Sequence, residues 1–173
     1  ECAMLWGLQL PGSIREIGYS AFSHCKFLKS IVLPEGMTEI EKYVFWDCTL
    51  LGSVTIPDSV RRIGTRAFDG CSSLSELWMG PGMHEIGERA FDGCARLRRL
   101  HLPGGVAEIG AYAFHGCASI QSVAVPAGVT MLREGLFGGC SSLEEITLPE
   151  GVGFIGGGAF SGCGRLRAVA LPE

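Results

Sequence analysis

The chain has 173 residues, with 14 basic and 18 acidic side chains and a formal net charge of −4. Its hydrophobic content of 47% excludes general disorder, and the acidic balance argues against a dedicated nucleic-acid binder. No apolar run reaches the roughly 18 residues that a bilayer-crossing helix needs, and the absence of asparagine removes any N-glycosylation sequon. The length fits one ordinary domain. The start, Glu1-Cys2-Ala3-Met4, has neither the basic nor the apolar region of a signal peptide. The chain does not open on an initiator methionine, so it is expected to be a fragment of a longer protein. No signal, anchor or transmembrane segment lies within 1–173, and the compartment stays open.

The cysteines set the frame. Cys2, Cys25, Cys48, Cys71, Cys94, Cys117, Cys140 and Cys163 follow one another at intervals of 23 residues. A fixed period between about 20 and 50 residues marks a solenoid or another repeat array. Phenylalanines from Phe22 to Phe160 keep the same register, as do the prolines Pro11, Pro34, Pro57, Pro103, Pro126, Pro149 and Pro172. Seven full units start at Leu8, Ile31, Val54, Leu77, Leu100, Val123 and Ile146 and run to Ala168, with partial units at both ends. No linker or charge run interrupts them, so 1–173 is expected to be one domain.

Each unit opens on a strand. In Ser30-Ile31-Val32-Leu33 the apolar residues alternate, with Ile31 and Leu33 inward, and Pro34 ends the strand by removing an amide donor. The same reading predicts parallel strands at 30–33, 53–56, 76–79, 99–102, 122–125 and 145–148. Gly36, Ser59, Gly82 and Gly105 let the chain turn. Val60 and Ile63 then supply inward contacts on the next side of the coil. Gly64-Thr-Arg-Ala67-Phe68-Asp-Gly70-Cys71 is predicted as one helical or 3₁₀ turn, with Gly70 in the left-handed position at its end. One unit cannot bury its own apolar face, so stacked units must share a continuous core. The fold class expected is an α/β solenoid, with a parallel sheet on one side and short helical or 3₁₀ turns on the other.

The repeated pattern L-P-x-x-[IVM]-x-x-I-G-x-x-A-F-x-x-C resembles the BspA-type leucine-rich repeat over essentially the whole chain. The resemblance implies a right-handed, curved solenoid with its parallel strands on the concave side. It also implies a binding or surface-recognition role and no enzymatic activity. Two units depart from the pattern. The fourth has Trp78-Met79-Gly80-Pro81, with its proline one position late. The sixth has Leu132-Arg133-Glu134-Gly135-Leu136, with Arg for Gly and Leu for Ala.

Eight cysteines invite a disulfide framework, but the register argues for buried thiols. Side chains in one column of parallel coils stand roughly 4.7–4.9 Å apart, more than the ~3.8 Å between Cβ atoms that a disulfide prefers. A straight column offers no tetrahedral metal site, and no Cys-x-x-Cys is present. His24, His84, His101 and His115 fall at four different repeat positions and form no dyad with a cysteine. Gly151-Val-Gly153-Phe-Ile-Gly156-Gly157-Gly158 lacks the lysine of a phosphate loop. No catalytic residue, cofactor or metal is expected.

The informative residues break the repeat while pointing outward. With Leu77, Met79, Leu100 and Leu102 inward, Glu76, Trp78, Arg99 and His101 fall together at the centre of the concave face. They are the candidate protein-binding residues, and Arg96, Arg98 and Arg99 with His101 form a local basic cluster beside them. Tyr43 and Trp46, and Met131 with Phe154, are apolar spots elsewhere and are candidate assembly contacts. The function expected is a non-enzymatic protein-interaction module acting through its concave face, with a protein partner, no nucleic acid and no membrane insertion. The alternatives are a structural subunit of a large assembly, held by its convex face and open ends, and a cell-surface adhesin-like repeat region. Further repeats or a partner are expected to cover both ends.

Overall fold

The computed structural model describes residues 5–170; Cys2 and the Leu171-Pro172 end lie outside them. In chain order the strands are β1 (Leu8–Gln9), β2 (Ser30–Val32), β3 (Glu39–Ile40), β4 (Ser53–Ile56), β5 (Arg62–Ile63), β6 (Glu76–Met79) and β7 (Glu85–Ile86). They continue with β8 (Glu108–Ile109), β9 (Ser122–Ala124), β10 (Met131–Leu132), β11 (Glu145–Thr147), β12 (Phe154–Ile155) and β13 (Ala168–Ala170). All pairings are parallel, and partners lie one period apart: Ile31 faces Val54, and Val54 faces Leu77. The solenoid thus has one wall built from β1-β2-β4-β6 and β9-β11-β13, here called the main-sheet face. A second wall is built from β3-β5-β7-β8 and β10-β12.

Both walls are interrupted once, beside a unit that departs from the repeat. The strand expected at 99–102 does not form: segment 97–103 joins neither half of the main sheet. Its alternation survives, with Leu100 and Leu102 buried and Arg99 and His101 exposed. The preceding coil has Gly80-Pro81 where the others have proline first. There the turn is pressed against the coil before it. A Cβ on Gly80 would lie 2.5 Å from Asp58 Cα, and one on Gly82 would lie 2.1 Å from the Asp58 carbonyl oxygen. The unpaired coil directly follows this displaced turn. In the second wall, β8 and β10 do not pair. The residue after β10 is Arg133, where neighbouring coils have Gly110 and Gly156.

The helical or 3₁₀ turns expected opposite the main sheet are absent; no helix occurs among the described residues. The segments are chains of β-turns instead, and stacked together they form the turn wall. In one coil the amides alternate in direction. Ala90 N donates to Gly87 O (3.3 Å), Asp92 N to Arg89 O (3.2 Å) and Cys94 N to Phe91 O (3.2 Å), closing turns within the coil. Arg89 N donates to Ala111 O (3.0 Å), Phe91 N to Ala113 O (2.9 Å) and Gly93 N to His115 O (2.8 Å), tying the coil to the next. A helix would spend these amides on itself and leave adjacent coils unbonded. The alternation needs left-handed residues four apart, Arg89 (φ 52°) and Gly93 (φ 73°) in this coil. Gly70 was expected in that conformation and has it (φ 77°), but the paired position is filled by Tyr43, Arg66, Arg89 and Tyr112. Left-handed conformations carry a steric cost in such residues.

The core consists of ladders. Phe45, Phe68, Phe91, Phe114 and Phe137 are fully buried, and Phe22 and Phe160 close the stack as partly buried ends. Successive ring centroids lie 5.7, 5.2, 5.2, 5.5, 5.8 and 6.1 Å apart, with near-parallel planes. Ala67, Ala90 and Ala113 are buried beside them, small enough for the turn wall to close in.

The described cysteines are thiols and form the expected inward column. Each is more than a small apolar group. Cys71 Sγ donates to Phe45 O (3.1 Å), Cys94 to Phe68 O (3.3 Å), Cys117 to Phe91 O (3.2 Å) and Cys140 to Phe114 O (3.3 Å). The carbonyl reached already accepts an amide within its own coil, so the thiol adds a weak second donor from the following coil, which alanine or valine could not supply. Burial pushes the thiols of Cys71, Cys94 and Cys117 well above the usual range, and Cys140 up to about 12. Thiol titration should therefore find little reactivity in the folded chain and all eight sulfhydryls after unfolding without reductant; a smaller number would reveal disulfides. A raised folded pKa means that this stabilisation is present below the ordinary value of 9.0 and is lost as pH rises towards 12, for Cys140 at least. Stability should accordingly fall through that alkaline range.

Candidate interaction surface

Strand alternation puts Glu76 and Trp78 on the outer side of β6, while Met79 is buried and Leu77 half-buried. Trp78 is 56% exposed. Its strand partner is Thr55, whose own partner is Val32, 70% exposed. Val32 thus extends the apolar line two strands further. It is an outward valine in a short strand, as strand alternation predicts. Trp78, Glu76, Thr55 and Arg99 line one hollow of about 270 Å³. Arg99 and His101 both point outward from segment 97–103, as expected. Glu76 and Arg99 share the hollow but form no ion pair within 4.0 Å among the described residues.

The candidate assembly contacts lie elsewhere. Tyr43 and Trp46 are half-buried on the turn wall and engage each other edge-on, with centroids 5.7 Å apart. Tyr43 also meets Tyr19 (5.5 Å), and Trp46 meets His24 (4.6 Å). Much of their aromatic surface is therefore used within the chain. Met131 and Phe154 are strand partners in β10 and β12, 42% and 52% exposed.

The turn wall carries a network that single-residue reading of the sequence passed over. His24 Nδ1 lies 3.1 Å from Asp47, and His115 Nδ1 lies 2.9 Å from Asp92. Both pairs are 23 residues apart, so comparing histidines with aspartates one period away would have found them. Arg89 holds Asp92 (2.7 Å) and covers the Tyr112 ring at 4.4 Å; Tyr112 in turn donates to Glu134. Burial, then the neighbouring Asp92, raises the Asp69 carboxyl above its usual range, against the pull of Arg66 and Arg89. Both histidine–aspartate pairs join neighbouring coils, and the network reads as clamps between them. Among the described residues no His, Cys, Asp and Glu group could hold a metal, and no helix is long and apolar enough to cross a membrane.

The model for the BspA type leucine rich repeat region matches six copies, over residues 1–106 and 80–173. The chain belongs to this family. The solved leucine rich repeat protein of T. pallidum is similar to the BspA-type chain at 36% identity and a TM-score of 0.90, covering 96% of this chain and 79% of that one. A leucine-rich repeat protein from Bacteroides ovatus is similar at 31% identity and a TM-score of 0.89, covering 98% of this chain and 46% of that one. No curated protein matches the BspA-type chain.

Proposed function

We propose that the chain is a single, non-enzymatic repeat domain that binds another protein through its main-sheet face, with Glu76, Trp78, Arg99 and His101 at the centre. The observation that carries this reading is Trp78, 56% exposed in a hollow shared with Glu76 and Arg99. A tryptophan more than half exposed on a β-strand surface adds little to the fold beyond a cross-strand contact with Thr55. Tryptophan and arginine are also the side chains most enriched at binding hot spots. Several of the flanking outward residues, Ser30, Ser53, Ser122 and Ala124, are small.

A structural subunit held by its turn wall and second wall is the second reading. The exposed Met131–Phe154 pair favours it. One mutational comparison separates the two. Trp78→Ala should leave the melting temperature nearly unchanged and weaken binding to a purified partner, read by calorimetry, by about 2 kcal/mol or more. Binding that survives Trp78→Ala and fails on Tyr43→Ala or Trp46→Ala would put the assembly reading in its place.

A further inference from the structure

We propose that the partner meets this surface with a short acidic segment, whose carboxylates are received by Arg96, Arg98 and Arg99 beside Trp78. The inference rests on the main-sheet face being the binding surface and adds the chemistry of what binds there. The Trp78 hollow does not stand alone. A neighbouring one of about 660 Å³ is lined by Ser75, Glu76, Arg96, Arg98, Arg99 and Ser119. A third, of about 500 Å³, is lined by Arg98, Arg99, Ser119, Gln121 and Ser142. Shared walls make the three contiguous, and they flank segment 97–103, the stretch that joins neither half of the main sheet.

Arg62, Arg66 and Arg89 are each paired with an acid of their own chain. Arg96, Arg98 and Arg99 are exposed and have no ion-pair partner within 4.0 Å among the described residues. Other arginines, such as Arg61, Arg165 and Arg167, also have no ion pair among the described residues, but Arg96, Arg98 and Arg99 are clustered within four residues and line adjoining hollows. The hollows are also rich in donors: serine hydroxyls, the Gln121 amide and three guanidinium groups surround one carboxylate, Glu76. A guanidinium takes a carboxylate through two parallel hydrogen bonds, which fixes orientation as well as charge.

The extent of the charge selects the kind of anion. One coil away, the equivalents of Arg99 are Glu76 and Ser122, and those of Arg98 are Ser75 and Gln121. The positive charge is one coil deep, on a chain of net charge −4. A polyanion such as a nucleic acid needs a basic track along its backbone. A patch this size fits two or three carboxylates, with an apolar side chain of the same segment reaching Trp78.

The test uses the whole chain and a displayed library of random 12-residue peptides, panned against the parent, Trp78→Ala and the triple variant R96E/R98E/R99E. Enriched peptides should carry Asp or Glu next to an apolar residue. Read by fluorescence anisotropy, a synthetic copy should bind the triple variant more than about tenfold more weakly, less tightly as salt rises, and regain affinity for it when its acids become lysines. If the triple variant unfolds by circular dichroism, R98Q and R99Q singly should show the same direction of loss. Peptides without acidic bias that fail on Trp78→Ala but ignore charge reversal would overturn this inference and leave the binding face intact. Peptides indifferent to both variants, or no enrichment at all, would overturn both. Preference for single-stranded dT12 or for phosphatidylserine vesicles over acidic peptides would also sink it.

Discussion

Phe91→Ala should destabilise the chain by about 3–5 kcal/mol. Phe91 is fully buried at the middle of the phenylalanine column, with ring neighbours at 5.2 and 5.5 Å and interplanar angles of 1° and 2°. Its removal leaves a void that two stacked coils cannot fill without breaking amide contacts from Arg89, Phe91 and Gly93 to the following coil. The ends should respond less. Phe22 and Phe160 are only partly buried, their contacts are longer (5.7 and 6.1 Å), and each lacks a second ring neighbour. In a quasi-one-dimensional stack a terminal coil loses one interface where an internal coil loses two, and end coils open locally at lower free energy. Urea unfolding of the three Phe→Ala variants measures this; equal losses at all three sites would contradict nearest-neighbour stability.

The same column shows how far the fold was legible in the sequence. Twenty-three-residue spacing and two-residue alternation sufficed to place the strands around Ile31, Val54, Val123 and Ile146, and to tell inward Leu100 and Leu102 from outward Arg99 and His101. The turn wall was not legible, for a physical reason. Ala67, Phe68 and Cys71 at i, i+1 and i+4 suit a helical turn and a chain of β-turns equally well. The choice is made by hydrogen bonds to the next coil and by left-handed Arg66, Arg89 and Tyr112, residue types that announce nothing of the kind. At the candidate surface, the position and direction of Trp78 followed from register. That Glu76 and Arg99 would share a hollow without forming an ion pair depends on the lost strand pairing at 99–102. That loss lies next to the displaced Gly80-Pro81 turn, which is visible in the sequence, but its effect on the following strand is not.

The glycine after each second-wall strand controls how closely the coils approach. Gly64, Gly87, Gly110 and Gly156 donate their amides to Ile40, Ile63, Ile86 and Leu132 of the preceding coil, at 2.7–2.8 Å. A Cβ on Gly110 would lie 2.4 Å from Glu88 N and 2.6 Å from Glu88 Cα. Those atoms are backbone and cannot swing aside, so the added methyl must push the two coils apart. Gly110→Ala should therefore cost roughly 3 kcal/mol, at the upper end of overpacking penalties. Gly104 provides the comparison: a Cβ there meets nothing within 4 Å. Gly104→Ala should stay within about 1 kcal/mol of the parent, or gain slightly through the unfolded chain. Arg133 already places a side chain at this repeat position, and β8 and β10 are unpaired at that coil. Arg133→Gly should let the coil close, and the amide of residue 133 should then gain hydrogen-exchange protection approaching that of Gly110 and Gly156. A Gly110→Ala chain as stable as Gly104→Ala, with residue 133 no better protected in Arg133→Gly, would show that something other than this Cβ clash separates the coils.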